Sequence, residues 1–242
     1  MTTIDRRDLM ILAAGSALAS GVATSVSAQS QPIDIVAAMH GIEGITIPEQ
    51  VTVLGTGGSG CWPALFAALC GVKEMLLIDA SDVSADDMGR TCFRPSDIGK
   101  PKADATAEVV KIFRPDVITR TIKRFVEPNE DDIYFGSVLF DGVDYTPLNT
   151  ILPEETNKRE MKYVQGFYKG LYAGVTTKYF ATEWTEGGLG PVWPASAALS
   201  GILQIYAVFA SPFNYTGNIT DLAMSDDMMT TALVNGSSRP TK

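Results

Sequence analysis

Histidine is almost missing from this 242-residue chain: His40 is the single copy, and only three cysteines, Cys61, Cys70 and Cys92, accompany it. No two of them form a C-x-x-C pair. The chain therefore offers neither the Cys/His set that structural zinc takes nor the even cysteine framework of a small stapled domain. No zinc and no disulfide framework are expected. Positive charge is also short, with 19 Lys and Arg against 28 Asp and Glu and a net charge of −9. That balance excludes the clustered basic surface that DNA binding demands. Beyond the N-terminal segment no stretch reaches the roughly 18 continuous apolar residues of a membrane span. What the chain has in quantity is core: 45% of its residues are apolar, enough for an ordinary buried interior.

The opening TIDRRDLMILAAGSALASGVATSVSAQ sets Arg6 and Arg7 before an uncharged run rich in Ala, Gly and Ser. It closes on Val26-Ser27-Ala28, a small-x-small cleavage pattern. Residues 1–28 read as a twin-arginine-type export leader, with a loosely packed N-terminal helix as the alternative. Residues 29–242 read as one domain, entered through a short helical and linker stretch at 29–48.

From Val51 onward strands and helices alternate. VTVLG (51–55) reads as a buried strand, and CWPALFAALCG (61–71) as a helix with Pro63 in its first turn and Gly71 at its stop. EMLLIDA (74–80) is a second strand, and KADATAEVVKIF (102–113) has helical spacing with Pro115 just beyond it. VITRTIKRF (117–125) alternates as a third strand, and SVLFDGV (137–143) is a fourth. This order predicts right-handed βαβ crossovers, hence an α/β fold: a Rossmann-like, doubly wound, mostly parallel sheet with helices on both faces. KYVQGFYKG (162–170) and GVTTKYF (174–180) predict a C-terminal β-hairpin, and PASAALSGILQIYAVF (194–209) a buried helix. Residues 217–234 read as mixed short elements.

Within VTVLGTGGSGCW (51–62), Gly55, Gly57, Gly58 and Gly60 match G-x-G-x-x-G between a strand and a helix. Backbone N–H groups and a helix N-terminus can cradle a phosphate there. Asp79 ends the next strand, 19 residues after Gly60, where an acid accepts bonds from ribose hydroxyls. Together they fit a nucleotide and leave ATP and a nicotinamide dinucleotide equally open. The plainer alternative is a tight strand-to-helix turn.

Downstream follow SADDMGRTCFRPSDIGKPKADA (84–105), FRPDV (113–117) and LFDGVDYTPLN (139–149). With the glycine turn these resemble the ThiF/MoeB/HesA family, the adenylating domain shared with ubiquitin-activating enzymes. That family shows a G-x-G-G-x-G turn, an acidic strand end, S-N-x-x-R-Q, I-G-x-P-K-A, N-P-x-V and D-x-x-D-N. The counterparts here are Gly55 to Gly60, Asp79 with Asp82, Asp87 to Thr91, Ile98 to Ala103, Arg114 to Val117, and Asp141 to Tyr145. Order and spacing agree from Val51 to Tyr145, and the hairpin and last helix continue the likeness more weakly.

The resemblance implies an ATP-dependent adenylyltransferase that activates a carboxylate as an acyl-adenylate. It implies that Arg90 and Lys102 neutralise phosphate oxygens, that Asp144 holds Mg²⁺, and that Asp79 with Asp82 holds the nucleotide's ribose side. Solvated surface cations are the plainer alternative for Arg90 and Lys102, and a turn cap for Asp144. Lys100 is the alternative to Lys102, but the Pro-Lys-Ala context favours Lys102. The implied partner is the C-terminus of a ubiquitin-like or sulfur-carrier protein, with a small acid or a modified tRNA base as alternatives. The family also implies a homodimer, in which Arg6 or Arg7 are candidates to complete a neighbour's site.

Departures from the family limit this reading. Its asparagine is Asp87 here and its glutamine is Thr91, which sets an acid beside the phosphates and weakens ATP binding. The family's zinc cysteines are absent, and no cysteine follows Cys92, so nothing stands for a thioester-forming cysteine; ATEWTEGG (181–188) occupies that loop. Cys61, Cys70 and Cys92 read as small core residues, Trp62, Trp184 and Trp193 as packing residues, and His40 takes no catalytic role. Two rivals remain: a nicotinamide-dependent oxidoreductase, and a ThiF-like fold that binds a nucleotide or partner without turnover. The ATP requirement points to the cytoplasm and the leader to export.

Overall fold

The structure is a computed structural model that describes residues 36–39, 41–127, 130–170, 172–177 and 192–210. The leader reading at 1–28, His40, Trp184, the 181–188 loop and the 217–234 segment lie outside the described residues.

Six strands form one sheet: β1 (Gln50–Leu54), β2 (Glu74–Ile78), β3 (Ile118–Ile122), β4 (Val138–Asp141), β5 (Lys162–Lys169) and β6 (Tyr172–Thr176), in spatial order β3-β2-β1-β4-β5-β6. Every neighbouring pair is parallel except the β5–β6 hairpin. β1, β2 and β4 are near-continuous apolar runs, as strands covered on both faces must be. On one face Val51, Val53, Met75, Leu77, Val138, Phe140 and Val164 pack with the helices α1 (Cys61–Cys70), α2 (Lys102–Phe113) and α4 (Pro194–Phe209). On the other, Leu54, Leu76, Ile78, Leu139 and Tyr163 meet α3 (Thr146–Lys158) through Leu148 and Leu152, together with Val126 and Ile133. Thr52 is wholly buried on that second face, and its hydroxyl lies 2.9 Å from the Ile133 carbonyl oxygen and accepts the Phe135 N–H at 3.1 Å. The predicted doubly wound sheet and hairpin are both present.

Several expectations need correction. α3 was not foreseen, and it is the crossover that allows β5 to run parallel to β4. The third strand is shorter than 117–125 and is an exposed edge, with Ile118 57% exposed. The helix at 194–209 buries Ala197, Ser200, Gly201, Gln204 and Val208 but leaves Ile202 and Tyr206 exposed. Trp193, at its start, is exposed as well, whereas Trp62 stacks on Phe66 with ring centroids 6.1 Å apart. Among its described residues the entry stretch shows one 3-10 turn, Ala37–Met39.

The strand order reverses between β1 and β4, so their carboxyl ends lie side by side with chains leading away in opposite directions. In an open α/β sheet that crevice is where ligands bind.

Candidate functional site

The four loop glycines are glycine for different reasons. Gly55 has φ of 74°, and a Cβ on it would stand 2.7 Å from Val143 Cγ1. A Cβ on Gly60 would meet the Gly55 carbonyl oxygen at 1.8 Å, and one on Gly142 would meet the same oxygen at 2.6 Å. These three pack backbone against backbone and press the turn after β4 onto the loop after β1. Gly58 leaves room for Tyr168, whose hydroxyl oxygen would lie 1.8 Å from a Cβ there. Gly57 alone faces open space, with no atom within 4 Å of a Cβ.

The loop's donors follow the same division. The Gly55 N–H bonds Ile78 O at 2.8 Å, the Thr56 N–H bonds Asp79 Oδ2 at 2.7 Å, and the Cys61 N–H bonds Gly57 O at 2.9 Å. The N–H groups of Gly57, Gly58 and Ser59 have no hydrogen-bond partner among the described residues. Three successive unpaired donors at the start of a helix form a concavity suited to an anion. α4 braces this loop from behind, since Gln204 Nε2 donates to Ser59 O at 2.8 Å.

Asp79 fixes the loop as well as bordering it. Its Oδ2 takes the Thr56 N–H, and its Oδ1 takes the Ser81 N–H at 2.8 Å. The Thr56 hydroxyl also lies 3.4 Å from Oδ2, so Oδ1 is the oxygen with a further lone pair for a ribose hydroxyl. Asp82 is turned instead to Lys123, which donates to its Oδ1 at 2.6 Å.

Asp87 ends the 3-10 turn Ala85–Asp87 and is wholly buried. Its Oδ2 accepts the Ser84 N–H at 2.9 Å and the Ser84 hydroxyl at 3.1 Å, while its Oδ1 lies 3.0 Å from both Arg90 Nη2 and Lys102 Nζ. Burial raises this carboxyl, but the Ser84 N–H, Lys102 and Arg90 outweigh it and hold Asp87 below the usual carboxylate range. The two cations predicted to meet phosphate therefore converge on an ionised acid, and the trio carries one net positive charge. Trp62 Nε1 ties this cluster to the start of α1 by donating to Arg90 O at 3.0 Å. Lys100 is engaged elsewhere, with Asp97 and Glu108. Thr91 turns its hydroxyl to Asp87 O at 2.7 Å and so serves the local turn.

The turn after β4 is held by a buried network. Asp141 accepts the Tyr163 hydroxyl at 2.6 Å, Asn149 Nδ2 at 2.7 Å and the Val143 N–H at 3.0 Å. Complete burial pushes its pKa up to about 6 despite those donors. Asn149 Oδ1 accepts the Tyr145 N–H at 3.1 Å, so both ends of the turn carrying Asp144 are fixed. The Asp144 side chain is exposed and has no hydrogen bond or ion pair among the described residues; partial burial raises its pKa.

Cys92 donates its N–H to Cys61 Sγ at 3.4 Å. Burial pushes the thiols of Cys61 and Cys70 up, away from the reactive thiolate. Among the described residues no three His, Cys, Asp or Glu side chains gather to hold a metal ion, and no helix is long and apolar enough to cross a membrane. The sequence did not foretell the Asp87 trio, the Asp141 network, Gln204 or Tyr168. Gln204 and Tyr168 depend on contacts with a loop more than 100 residues away in the chain, and the other two on local turn geometry that the motifs do not spell out.

Known proteins share this fold. The profile of the ThiF family matches residues 47–229. The heterocyst HesA protein of Trichormus variabilis is 34% identical over 83 residues, 34% of this chain and 31% of that protein. The SAMP-activating enzyme E1 of Haloferax volcanii is 28% identical over 127 residues, 51% of this chain and 47% of that enzyme. The chain thus spans less than half the length of either relative. The crystal structure of E. coli MccB with ATP has the same fold, with a TM-score of 0.58 at 15% identity over 66% of this chain and 54% of that one. The family match takes in every strand and helix described above, so the resemblance read from the sequence is membership: the chain belongs to the ThiF family.

Proposed function

We propose that the chain catalyses ATP-dependent adenylation of a carboxylate. The observation that carries this is the set of three unpartnered N–H groups, Gly57 to Ser59, beside open space at the switch point of the sheet. In the reaction a carboxylate oxygen attacks the α-phosphorus, and the bond to pyrophosphate breaks. Catalysis is then positioning plus stabilisation of charge on the phosphoryl oxygens. The loop N–H groups supply fixed donors, and Arg90 and Lys102 supply positive charge whose direction Asp87 sets. Asp79 Oδ1 has a lone pair left for a ribose hydroxyl.

Asp144 fits Mg²⁺ by the chemistry of its unpaired carboxylate, and the ion when bound would neutralise phosphate charge. With no cysteine after Cys92, the acyl-adenylate passes to an external nucleophile. The acyl donor we favour is the C-terminal carboxylate of a ubiquitin-like or sulfur-carrier protein. This is supported by relatives named for ubiquitin-like modifier and SAMP activation. A homodimer and a cytoplasmic location, where ATP is plentiful, complete the reading. The Asp87 trio favours a second reading, nucleotide binding without turnover, because the acid competes with phosphate for both cations.

Calorimetry of the full chain with Mg·ATP tests this, followed by ATP–pyrophosphate exchange with a peptide ending in Gly-Gly. Binding with exchange is expected. Binding without exchange for any carboxylate offered supports the second reading, and no binding at millimolar ATP overturns both. An NADH titration is expected to leave cofactor fluorescence unchanged.

A further inference from the structure

We propose that Tyr168 is a ligand-contacting residue of this site, its phenol donating a hydrogen bond to a phosphate oxygen held at the glycine loop; this rests on the nucleotide reading above. The placement comes from register. β1 ends at Leu54, paired with Asp141 at the end of β4, and Asp141 pairs with Gln165. β5 continues to Lys169, so Gly166 to Lys169, paired with β6 on one side, project past the carboxyl end of β4 on the other and toward the loop. Side chains alternate along a strand, so Gly166 and Tyr168 share the face of Val164, the face that packs with α1 and α4. Gly166 is bare because Gln204 Nε2 occupies the space where its Cβ would stand, at 2.1 Å. Tyr168, next on that face, reaches Gly58.

The contact at Gly58 is made by the hydroxyl. A Cβ there would meet the oxygen at 1.8 Å and Cζ at 2.6 Å. The loop thus forgoes a side chain at the point where a hydroxyl comes to lie beside its own unpaired N–H groups. Tyr168 is half-buried, and its hydroxyl has no hydrogen-bond partner among the described residues, yet it is not among the polar atoms sealed from solvent. Burial pushes this phenol up to about 12, with Arg90 pulling it down and Cys61 and Asp87 adding to the rise. It therefore keeps its proton across the neutral range and serves as a donor. Its surroundings are the Gly57–Ser59 donors, the Arg90 cation and an Asp87 carboxylate already occupied by Arg90, Lys102 and Ser84. An anion of the phosphate class is the ligand that uses the loop donors, the phenol and the Arg90 cation together. A buried phenylalanine would fill the same volume without adding a donor.

The test is calorimetry of the full chain and its Tyr168→Phe and Tyr168→Ala variants with adenosine, AMP, ADP and Mg·ATP. Loss of one hydrogen bond to a charged group is expected to weaken phosphate-bearing ligands about tenfold in both variants and to leave adenosine unchanged. The first member of the series to show the loss identifies the phosphate contacted. Wild-type affinity for ATP in Tyr168→Phe overturns the role of Tyr168 and leaves the nucleotide reading standing. An equal loss for adenosine overturns it in favour of packing, and tighter ATP binding overturns it in favour of a plug. Failure of the wild-type chain to bind any of the four overturns the nucleotide reading and this role with it.

Discussion

Lys102 brings its ammonium to within 3.0 Å of Oδ1 of the buried Asp87. Arg90 reaches that oxygen at the same distance, so a phosphate entering beside the loop must draw two cations away from an acid. Asp87→Asn, which installs the family's residue, is expected to raise Mg·ATP affinity about tenfold at low ionic strength and less at high salt. The Ser84 N–H can still be accepted by the amide, so the stability cost is expected to be about 1–3 kcal/mol. Calorimetry at two salt concentrations checks it; a fall in affinity would mean that Asp87 aims the cations more than it withholds them.

Gly57 and Gly60 separate ligand space from fold space. Gly57→Val places its Cβ in open space, so ATP binding is expected to vanish with a Tm within about 3 °C of wild type. Gly60→Ala drives a Cβ against the Gly55 carbonyl oxygen and is expected to cost about 3 kcal/mol or more. Parallel thermal melts and ATP titrations of the two variants read this contrast.

The strands were legible because β1, β2 and β4 are apolar runs bounded by glycine and charge, and the glycine motif sits where one ends. α3 was not. TPLNTILPEETNK carries Pro147 and Pro153, and a proline inside a helical pattern normally reads as a break. The Leu148 and Leu152 pair that docks the helix spans only one turn, too short a period to outweigh it. Site residues inside motifs, such as Arg90, Lys102 and Asp79, could be singled out by position. Tyr168 could not, because its place over the loop depends on how far β5 outruns β4, and that register is set by α3.

Gly58 and Tyr168 form a pair whose coupling can be measured. Gly58→Ala alone is expected to destabilise by about 2–4 kcal/mol through overpacking. In a Tyr168→Ala background the same change is expected to cost under about 1 kcal/mol, since the clashing atoms are gone. Urea unfolding of the four proteins closes the cycle; additive costs would show that Gly58 is glycine for a different reason.

Asp141 makes stability depend on pH. Its folded pKa of about 6 lies above the unfolded value, about 3.9. The folded chain therefore binds the extra proton between these values, and this group's contribution is full below pH 4 and lost as pH rises through 6. The loss is expected to total about 3 kcal/mol. Asp87 and Asp97, held low in the folded state, act in the opposite sense as pH falls. The difference in unfolding free energy between wild type and Asp141→Asn, followed from pH 4 to 7, isolates the effect. A flat difference would mean that Asp141 is ionised throughout. Tyr163→Phe removes a donor to the carboxylate and is expected to carry the decline to higher pH.

The pairing of Val51 with Val138 at the centre of the sheet has a kinetic meaning. β2, α2 and β3 all lie between those two residues in the chain, so the ladder joining β1 to β4 closes only after a long detour. Such distant parallel pairing is a slow event in folding. The loop donors and the Asp144 turn come together across that seam, so the complete site exists only once it has closed. Activity in this chain is expected to rise and fall with the last contacts made, as an all-or-none property of the closed sheet.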